Sequence, residues 1–263
     1  MRTIMLSLLA AALLRPCLSQ AETAAERLMS ATFKVFNPDS TATGFLLRDE
    51  APDAAPTNVI LVTAGHALQK AKGDHVLLVC RVKDAQGAWQ RHDHKVVIRQ
   101  GTNALWTCHP SQDVAMIRCA LPPHARFEAL PQAALAGEAQ AAGAGMTIGS
   151  RLFYVGYPHR TEANSAGFPL FREGVVSGYP LFPAALYPAF LFSASTFAGD
   201  SGAPVALADA GRETPLVIGL VTTRTQQNDK LNSAEWDITF KRDMDLGSIL
   251  HAGFILETLR LLK

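Results

Sequence analysis

The sequence lacks several features that would assign it to a functional class at once. Its 24 basic and 23 acidic side chains give a net charge of +1, and no local cluster of lysine and arginine adds to it, so no strong field gathers nucleic acid or an anionic membrane. Its four cysteines include no Cys-x-x-Cys spacing, so a zinc knuckle is not supported. The apolar N-terminal run, residues 4–14, would span only about 16 Å as a helix, well below the ~30 Å of a hydrocarbon core. We therefore expect a globular protein without nucleic acid as a partner and without a stable membrane span.

The N-terminal run is instead typical of a removable secretory signal. A positively charged start precedes it, and Ser19 and Ala21 are small residues at the two positions that a signal peptidase reads. We expect residues 1–21 to be removed, leaving a product of 242 residues with 22 basic and 23 acidic side chains that is secreted or periplasmic. Arg15 and Pro16 are unusual so close to a cleavage site, which leaves a buried N-terminal helix as the alternative.

Removal of the signal would leave three cysteines, Cys80, Cys108 and Cys119, so at most one disulfide can form within the chain. Cys108 and Cys119 bracket a short segment and could close it as a loop. However, Cys80 and Cys119 both lie in apolar, strand-like runs, where a free thiol packs as a small hydrophobic group. The sequence leaves the pairing open.

Short apolar segments separated by turn residues indicate an all-β fold. Six strand-like segments precede a stretch rich in alanine, proline and glycine (residues 121–145), and six follow it. The segments are 32–36, 43–47, 58–63, 75–82, 95–98 and 113–119, then 151–155, 173–177, 190–193, 203–207, 216–222 and 237–240. We expect two six-stranded antiparallel β-barrels, because closure removes exposed edges. The predicted domains are residues 22–122 and 149–263, joined by residues 123–148.

The end of the chain has a different pattern. After Asp245, apolar residues recur at steps of three and four, and Arg260 and Lys263 fall in the last turn. This spacing predicts an amphipathic C-terminal helix that packs on the second barrel.

Three short segments could carry chemistry. Thr63-Ala64-Gly65-His66 ends an apolar strand with small residues, which leave an imidazole room to face a cleft. Asp113 precedes an apolar strand, and a carboxylate removed from water there needs a partner such as an imidazole N–H. The small residues of Gly199-Asp200-Ser201-Gly202 allow a tight turn that exposes the hydroxyl and directs backbone N–H groups to one point. Each segment alone also has an ordinary structural explanation, but together they follow the order His, Asp, Ser, with intervals of 47 and 88 residues.

On these motifs the chain resembles the trypsin-like (chymotrypsin-fold) serine proteases of the bacterial exported type. Residues 44–47, 153–158, 174–178 and 217–221 are similar to strands of that family, so the resemblance covers about residues 31–259. It implies a catalytic triad of His66, Asp113 and Ser201, and an oxyanion hole formed by the N–H groups of Gly199 and Ser201. It also implies a protein or peptide substrate and no cofactor or metal.

The resemblance further implies which residues bind substrate, and where the chain departs from the family. Ser195 and Thr196 should line the base of the specificity pocket, and Thr222, Thr223 and Arg224 the wall along which the substrate backbone pairs. The absence of an acid at Ser195 argues against cleavage after Lys or Arg and favours a small or medium apolar side chain, unless Arg224 points inward and attracts an acidic one. No Ile-Val-Gly-Gly-like segment precedes Thr32 to form a new N-terminus for Asp200, so activation by cleavage is not expected, and the partner of Asp200 is left open.

Other interpretations have less support. His92 and His94 have the spacing of two metal ligands on one strand face, but two ligands without a third make a poor zinc site. A lipase-type nucleophile elbow would need glycine where Ala203 stands. The main alternative is a catalytically silent relative that binds peptides or partners. The sequence gives no oligomeric state.

Overall fold

The computed structural model describes residues 22–208, 211–232 and 236–262. The expected signal peptide, residues 1–21, lies outside this part of the chain. The described chain is mostly β-strand, which confirms the predicted all-β class. Two antiparallel sheets, one in each half of the chain, supply the frame on which the three motifs sit.

The first half forms a seven-stranded sheet in the order β5-β4-β1-β2-β3-β9-β8. Its elements are α1 (Ala24–Ala31), β1 (Thr32–Phe36), β2 (Thr41–Arg48), β3 (Asn58–Thr63), α2 (Gly65–Gln69), β4 (His75–Lys83), β5 (Trp89–Val97), β6 (Arg99–Gln100), β7 (Asn103–Ala104), β8 (Thr107–Cys108) and β9 (Ala115–Ala120). The two short strands β6 and β7 pair only with each other. The strand count differs from the predicted six because β8 adds to the edge of β9.

The second half closes into a six-stranded barrel in the order β10-β11-β12-β15-β14-β13. Its elements are α3 (Glu138–Gly143), β10 (Arg151–Gly156), β11 (Leu170–Val176), β12 (Ala189–Ser193), β13 (Pro204–Leu207), β14 (Val217–Asn232), β15 (Asp237–His251) and α4 (Ala252–Leu261), with single 3-10 turns at Gln132–Ala134 and Pro158–Arg160. This barrel and the C-terminal helix confirm the predicted architecture of the second half.

Alternate residues of the central strands pack into different cores. In β2, Leu46 points into the core of the first sheet, whereas Phe45 and Leu47 point into a second core that joins the two halves. The joining core also contains Leu220 of the barrel and Ile255 of α4. Because both faces of β2 are covered, this strand is a continuous buried run and does not alternate between apolar and polar residues.

The two ends of the described chain differ from the sequence-based expectation. The helix after Asp245 begins at Ala252, because residues 246–250 pair with β12 and belong to β15. A strand buried on both faces and a helix share apolar spacings of three and four, so periodicity alone does not separate them. The second difference is α1, which was not predicted; it begins with a capping box in which Thr23 and Glu26 bond to each other's backbone N–H.

No helix in the described residues has the length and hydrophobicity needed to cross a membrane. Cys80, Cys108 and Cys119 are all free thiols in this structure. Burial raises the pKa of Cys80 and of Cys119 to about 12 in each case, so both sulfurs stay protonated and pack as apolar groups.

Candidate active site

His66 and Asp113 form a tightly bonded pair at one end of the first sheet. His66 lies in the first turn of α2, directly after β3, and its ring Nδ1 is 2.6 Å from Asp113 Oδ2. The backbone N–H of His66 also donates to Asp113 Oδ1 at 2.8 Å. A Cβ on Gly65 would lie 3.1 Å from Asp113 Oδ1, so the glycine lets the carboxylate approach closely. The carboxylate thus fixes both the position and the Nδ1–H tautomer of the ring.

These bonds decide the ionisation of Asp113. Burial acts to raise the pKa of this carboxyl, but the hydrogen bonds from the His66 ring and backbone outweigh burial and hold the pKa below its ordinary value of 3.8. Asp113 is therefore an anion at neutral pH, as a partner for an imidazolium must be.

A second histidine, which the sequence analysis missed, organises the turn that presents Asp113. His109 Nδ1 accepts hydrogen bonds from the N–H groups of Ser111 (3.2 Å) and Gln112 (3.1 Å). Its other nitrogen, Nε2, is 3.1 Å from Glu257 on α4. His109 thereby links the aspartate turn to the C-terminal helix.

The segment 199–202 forms the tight turn predicted for the serine, and two of its glycines are required by geometry. Gly199 has φ +103° and Gly202 has φ +90°, both in the left-handed region. A Cβ on Gly199 would lie 2.2 Å from the Tyr157 carbonyl oxygen, and one on Gly202 would lie 2.1 Å from the Thr43 carbonyl oxygen. Neither the N–H of Gly199 nor that of Ser201 bonds to another group in the described chain, so both can donate to a ligand.

The hydroxyl of Ser201 makes a different contact from the one expected of a triad. Ser201 Oγ donates to the Thr222 carbonyl oxygen at 3.3 Å, and within the described residues it has no hydrogen bond to His66. The structure therefore brings His66 and Asp113 into direct contact and leaves Ser201 oriented towards β14.

Thr43 on β2 holds the serine turn from the opposite half of the molecule. This fully buried residue donates its hydroxyl to the Gly199 carbonyl oxygen at 2.7 Å, and its backbone N–H donates to the Ser201 carbonyl oxygen at 2.9 Å. The same hydroxyl accepts from the N–H of Tyr157 at 3.2 Å. One threonine of the first sheet thus positions the turn of the second barrel, a role that no local sequence pattern indicates.

The partner of Asp200, which the sequence left open, is Arg172 on β11. The Asp200 carboxylate is 1% exposed and receives a two-pronged ion pair: Arg172 Nη1 donates to Oδ2 at 2.9 Å and Nη2 donates to Oδ1. The N–H of Phe197 adds a bond of 2.8 Å to the same carboxylate. The guanidinium stacks on the Tyr154 ring, with 4.5 Å between Arg172 Cζ and the ring centroid. An internal arginine therefore compensates the buried charge in the serine turn.

A cleft of about 470 Å³ lies between the first sheet and the barrel and contains most of the predicted site residues. It is lined by His66, Lys70, residues 196–199, Ser201 and the segment 221–224. Arg224 in this wall is 3.4 Å from Asp243, so its charge is partly compensated. A larger cavity of about 760 Å³ surrounds Arg81 and Trp89 and contains none of the motif residues; the cleft is the site because it contains the reactive groups.

Ser195 lies outside the lining of that cleft and is exposed, but it has an acidic neighbour. Ser195 Oγ donates to Asp245 Oδ1 at 2.7 Å. The argument against a basic substrate side chain depended on the absence of an acid at this point. β15 nevertheless brings a carboxylate to Ser195 from 50 residues further along the chain, and this carboxylate also lies outside the cleft lining.

The remaining candidate from the sequence was the histidine pair on β5. The His92 ring packs edge-on against His124, with 4.9 Å between centroids, and His94 Nε2 is 3.0 Å from the Ala120 carbonyl oxygen. Among the residues that the structure describes, no group of three or more His, Cys, Asp or Glu side chains is arranged to hold a metal ion.

Comparison with known proteins adds a family match. The sequence model of the trypsin-like peptidase domain matches residues 42–220. Two crystal structures of inactive forms of Rv3671c superpose with a TM-score of 0.49. One is a serine-to-alanine mutant of the protein from M. tuberculosis H37Rv, with 18% identity over 94% of this chain and 93% of that chain; the other is described as the Rv3671c protease, with 17% identity over 89% and 90%. Comparison with curated protein sequences gives no match.

Proposed function

The chain belongs to the trypsin-like peptidase family and is a serine-type endopeptidase, and we propose that it cleaves peptide bonds through Ser201, His66 and Asp113. The observation that carries this proposal is the His66–Asp113 pair, bonded at 2.6 Å, facing the glycine turn of Ser201 across one cleft. Its substrate is a protein or peptide.

In the proposed mechanism, Ser201 Oγ attacks the carbonyl carbon of the scissile bond while its proton passes to His66 Nε2. The carbonyl oxygen becomes an oxyanion, which accepts hydrogen bonds from the N–H groups of Gly199 and Ser201. The C–N bond then breaks, and His66 gives its proton to the leaving amine. Water repeats the sequence on the acyl-enzyme and frees Ser201. Throughout, Asp113 holds the imidazole by Nδ1–H and stabilises its charged form.

Productive attack requires Ser201 Oγ to leave the Thr222 carbonyl oxygen and turn towards His66. The simplest such change is a rotation about χ1 of Ser201 from one staggered position to another. A substrate strand that pairs with the Thr222 carbonyl would compete for the acceptor that Ser201 now uses. Substrate binding itself therefore favours the reactive rotamer.

We assign substrate contacts to Ser195, Thr196 and the wall Thr222–Thr223–Arg224. Four of these residues, all except Ser195, line the cleft beside Ser201, which supports the assignment. Asp245 next to Ser195 favours a basic P1 side chain over the apolar one that the sequence alone suggests. We further propose that residues 1–21 are removed during export to the periplasm or the medium. The mature chain then consists of an N-terminal domain (residues 22–122), a connection (residues 123–148) and a C-terminal domain (residues 149–263).

The test is mass spectrometry of a denatured peptide mixture incubated with the protein from Glu22, beside the Ser201→Ala variant. Cleavage that depends on the serine supports the mechanism, and the residues before the cut report the pocket. Labelling of Ser201 by a fluorophosphonate checks the nucleophile separately. If the folded protein neither cleaves peptides nor becomes labelled, Ser201 stays bonded to the Thr222 carbonyl and does not react. The protein would then be a catalytically silent relative that binds peptides.

A further inference from the structure

The chain between β10 and β11 connects the serine turn to the first sheet. We call this segment, residues 157–168, the strap; β10 ends at Gly156 just before it, and β11 begins at Leu170 just after it. Its hydrogen bonds and ion pairs reach two places, the residues that precede the serine turn and the strands β1 and β5. The strap therefore joins the proposed oxyanion hole to the half of the molecule that carries His66.

The strap fixes the peptide group that carries one of the two proposed oxyanion donors. The N–H of His159 donates to the Ala198 carbonyl oxygen at 2.7 Å. This carbonyl belongs to the same planar, trans peptide group as the N–H of Gly199, so the two point in opposite directions. Ala198 and Gly199 line the cleft, whereas His159 does not. Because the carbonyl is held towards the strap, the Gly199 N–H points to the side of the cleft.

The strap reaches this position with an uncommon backbone. His159 has φ 49° and ψ 34°, and Arg160 has φ 67°, so two successive residues other than glycine lie in the left-handed region. Each such residue costs free energy, which surrounding contacts must offset. The His159 ring lies 4.9 Å from the Phe197 ring, but both strap side chains are exposed. Burial of side chains in the core therefore does not hold this conformation.

A buried lysine of the first sheet holds the left-handed residues. Lys34 on β1, which is 7% exposed, donates from Nζ to the Arg160 carbonyl oxygen at 2.7 Å and to Glu162 Oε1 at 2.6 Å. Arg91 Nη1 on β5 bonds to both carboxylate oxygens of Glu162, at 2.7 and 3.0 Å. Glu162 thus has a second cation, and removal of the Lys34 ammonium would not leave its charge unpaired.

We propose that Lys34 is a positioning residue for the oxyanion hole: its ammonium keeps Arg160 and His159 in the left-handed conformation, and the His159 N–H then holds the Gly199 donor towards the cleft. This proposal rests on the proposed function. Lys34 does not line the cleft, so it acts through the strap and not on the substrate. The first sheet would then contribute to the oxyanion hole as well as to the His66–Asp113 pair.

Loss of the ammonium has a specific consequence in this proposal. Arg160 would relax towards the right-handed region, which residues with a Cβ prefer. The N–H of His159 would move with it and leave the Ala198 carbonyl, so the peptide group that carries the Gly199 N–H could rotate away from the cleft. No residue of the strap lines the cleft, so substrate contacts should persist. We therefore expect an effect on kcat and not on KM.

The experiment measures kcat and KM for a peptide that the wild type cleaves, well below the Tm of each variant. Lys34→Met removes the ammonium but keeps an unbranched apolar stem. Glu162→Gln keeps the shape of its side chain and removes the charge that orients Lys34. The matched control is Arg27→Met, which breaks an ion pair of the same length, 2.6 Å, between Arg27 and Glu128 on elements that do not include the strap.

A rescue variant separates positioning from general stability. Glycine enters the left-handed region without the steric cost of a Cβ. Lys34→Met/Arg160→Gly should therefore retain the conformation of the strap without the ammonium. Lys34→Met/Arg160→Ala removes the same side chain but keeps the cost of the left-handed backbone, and is the control for the rescue.

We expect Lys34→Met to lower kcat about 10–100-fold, less than complete removal of one oxyanion donor, and to change KM by less than about twofold. Glu162→Gln should lower kcat less, because Lys34 still reaches the Arg160 carbonyl, and Arg27→Met should leave kcat unchanged. Addition of Arg160→Gly to Lys34→Met should recover most of kcat, whereas Arg160→Ala should not. The affinity for a peptide trifluoromethyl ketone, whose adduct with Ser201 carries an oxyanion, should fall by the same factor as kcat/KM.

A wild-type kcat in folded Lys34→Met would overturn the proposal. So would a loss of kcat that Arg160→Gly does not restore, or that Arg160→Ala restores equally, because the left-handed backbone would then not be what Lys34 maintains. A loss in KM alone would place the strap in substrate binding and reject its role in the oxyanion hole. All three outcomes leave the proposed function intact, since the wild type cleaves the peptide in each. A wild type that neither cleaves the peptide nor becomes labelled at Ser201 would reject the proposed function, and this proposal with it.

Discussion

Replacing Arg172 by methionine is expected to lower kcat far more than it changes KM. The variant keeps the unbranched, apolar stem of the side chain but leaves the Asp200 carboxylate, 1% exposed, without its counter-ion. Breaking a buried ion pair on one side destabilises a protein by about 3–5 kcal/mol. The N–H of Phe197 still bonds to the carboxylate, so we expect the lower end, about 3 kcal/mol, and a fall in Tm of roughly 6–12 °C.

The effect on catalysis follows from where Asp200 sits. It lies between the two residues whose N–H groups form the proposed oxyanion hole, and an uncompensated carboxylate pulls this turn towards water. Loss of one oxyanion donor lowers kcat by about 10²–10³-fold. KM should change little, because Arg172 bonds to Asp200 and to the Ser195 carbonyl and does not line the cleft.

Three comparisons separate positioning from general stability. Arg172→Lys keeps the charge but not the two-pronged geometry, so it should recover part of kcat. Arg172→Met combined with Asp200→Asn removes both charges and should recover most of the Tm. Arg151→Ala breaks an exposed pair with Glu173, the neighbour of Arg172 on β11, and should alter the free energy of unfolding by less than about 0.5 kcal/mol. A wild-type kcat in folded Arg172→Met would refute the reasoning.

Three further expectations concern single side chains. Thr43→Val keeps the shape of the side chain but leaves the buried Gly199 carbonyl without a partner. Calorimetry should show a loss of about 1–3 kcal/mol in the free energy of unfolding, and kcat should fall, whereas Thr43→Ser should retain both. A valine variant with wild-type kcat would contradict this coupling. Burial lowers the pKa of His251 from 6.5, so the unfolded chain takes up the proton first as the pH falls below 6.5, and stability is lost on acidification. Tm should therefore fall more steeply between about pH 6.5 and 5 in the wild type than in His251→Phe. Parallel curves of Tm against pH would count against this assignment. Asp245→Ala should lower kcat/KM for peptides with Lys or Arg at P1 by about tenfold and leave apolar P1 peptides unchanged, whereas a uniform effect would place the carboxylate outside the pocket.

The parts of the molecule that local chemistry constrains could be predicted from the sequence. The segments 32–36 and 58–63 coincide with β1 and β3, since each is a short β-branched or aromatic run between turns. The glycine turn at 199–202 was also found, because only small residues with positive φ fit it. These features depend on residues adjacent in the chain.

The supporting contacts could not be predicted, because their partners are distant in sequence. Thr43 bonds to Gly199 across 156 residues, and Arg172 bonds to Asp200 across 28. One signal for Arg172 was present. Arg172 alternates in step with Gly174 and Val176, so it lies on the inward face of β11. An arginine that points inward requires a carboxylate as its partner. The predicted segment 173–177 began one residue too late to include it.

The outer parts of β14 and β15, residues 226–232 and 237–243, were missed for the opposite reason. Beyond Arg224 the chain is rich in Gln, Asn, Asp and Lys, which have low strand propensity, so the pattern indicates a loop. Cross-strand pairing between β14 and β15 overrides that propensity along the seven registered pairs from Gln226 to Asn232. Strand propensity therefore fails to predict this part of the structure, because pairing with the neighbouring strand, and not burial in the barrel core, stabilises it.

The two supports of the serine turn differ in what they couple. Arg172 acts within the barrel, since β11 and the turn belong to the same half, whereas Thr43 reaches the turn from the first sheet, which also carries His66 and Asp113. A displacement of one half relative to the other would therefore move the serine turn and carry Ser201 away from His66. Because both supports are internal residues, Asp200 needs no newly formed N-terminus as its partner. Packing of the two halves against each other therefore brings the turn of Ser201 and the ring of His66 to one cleft.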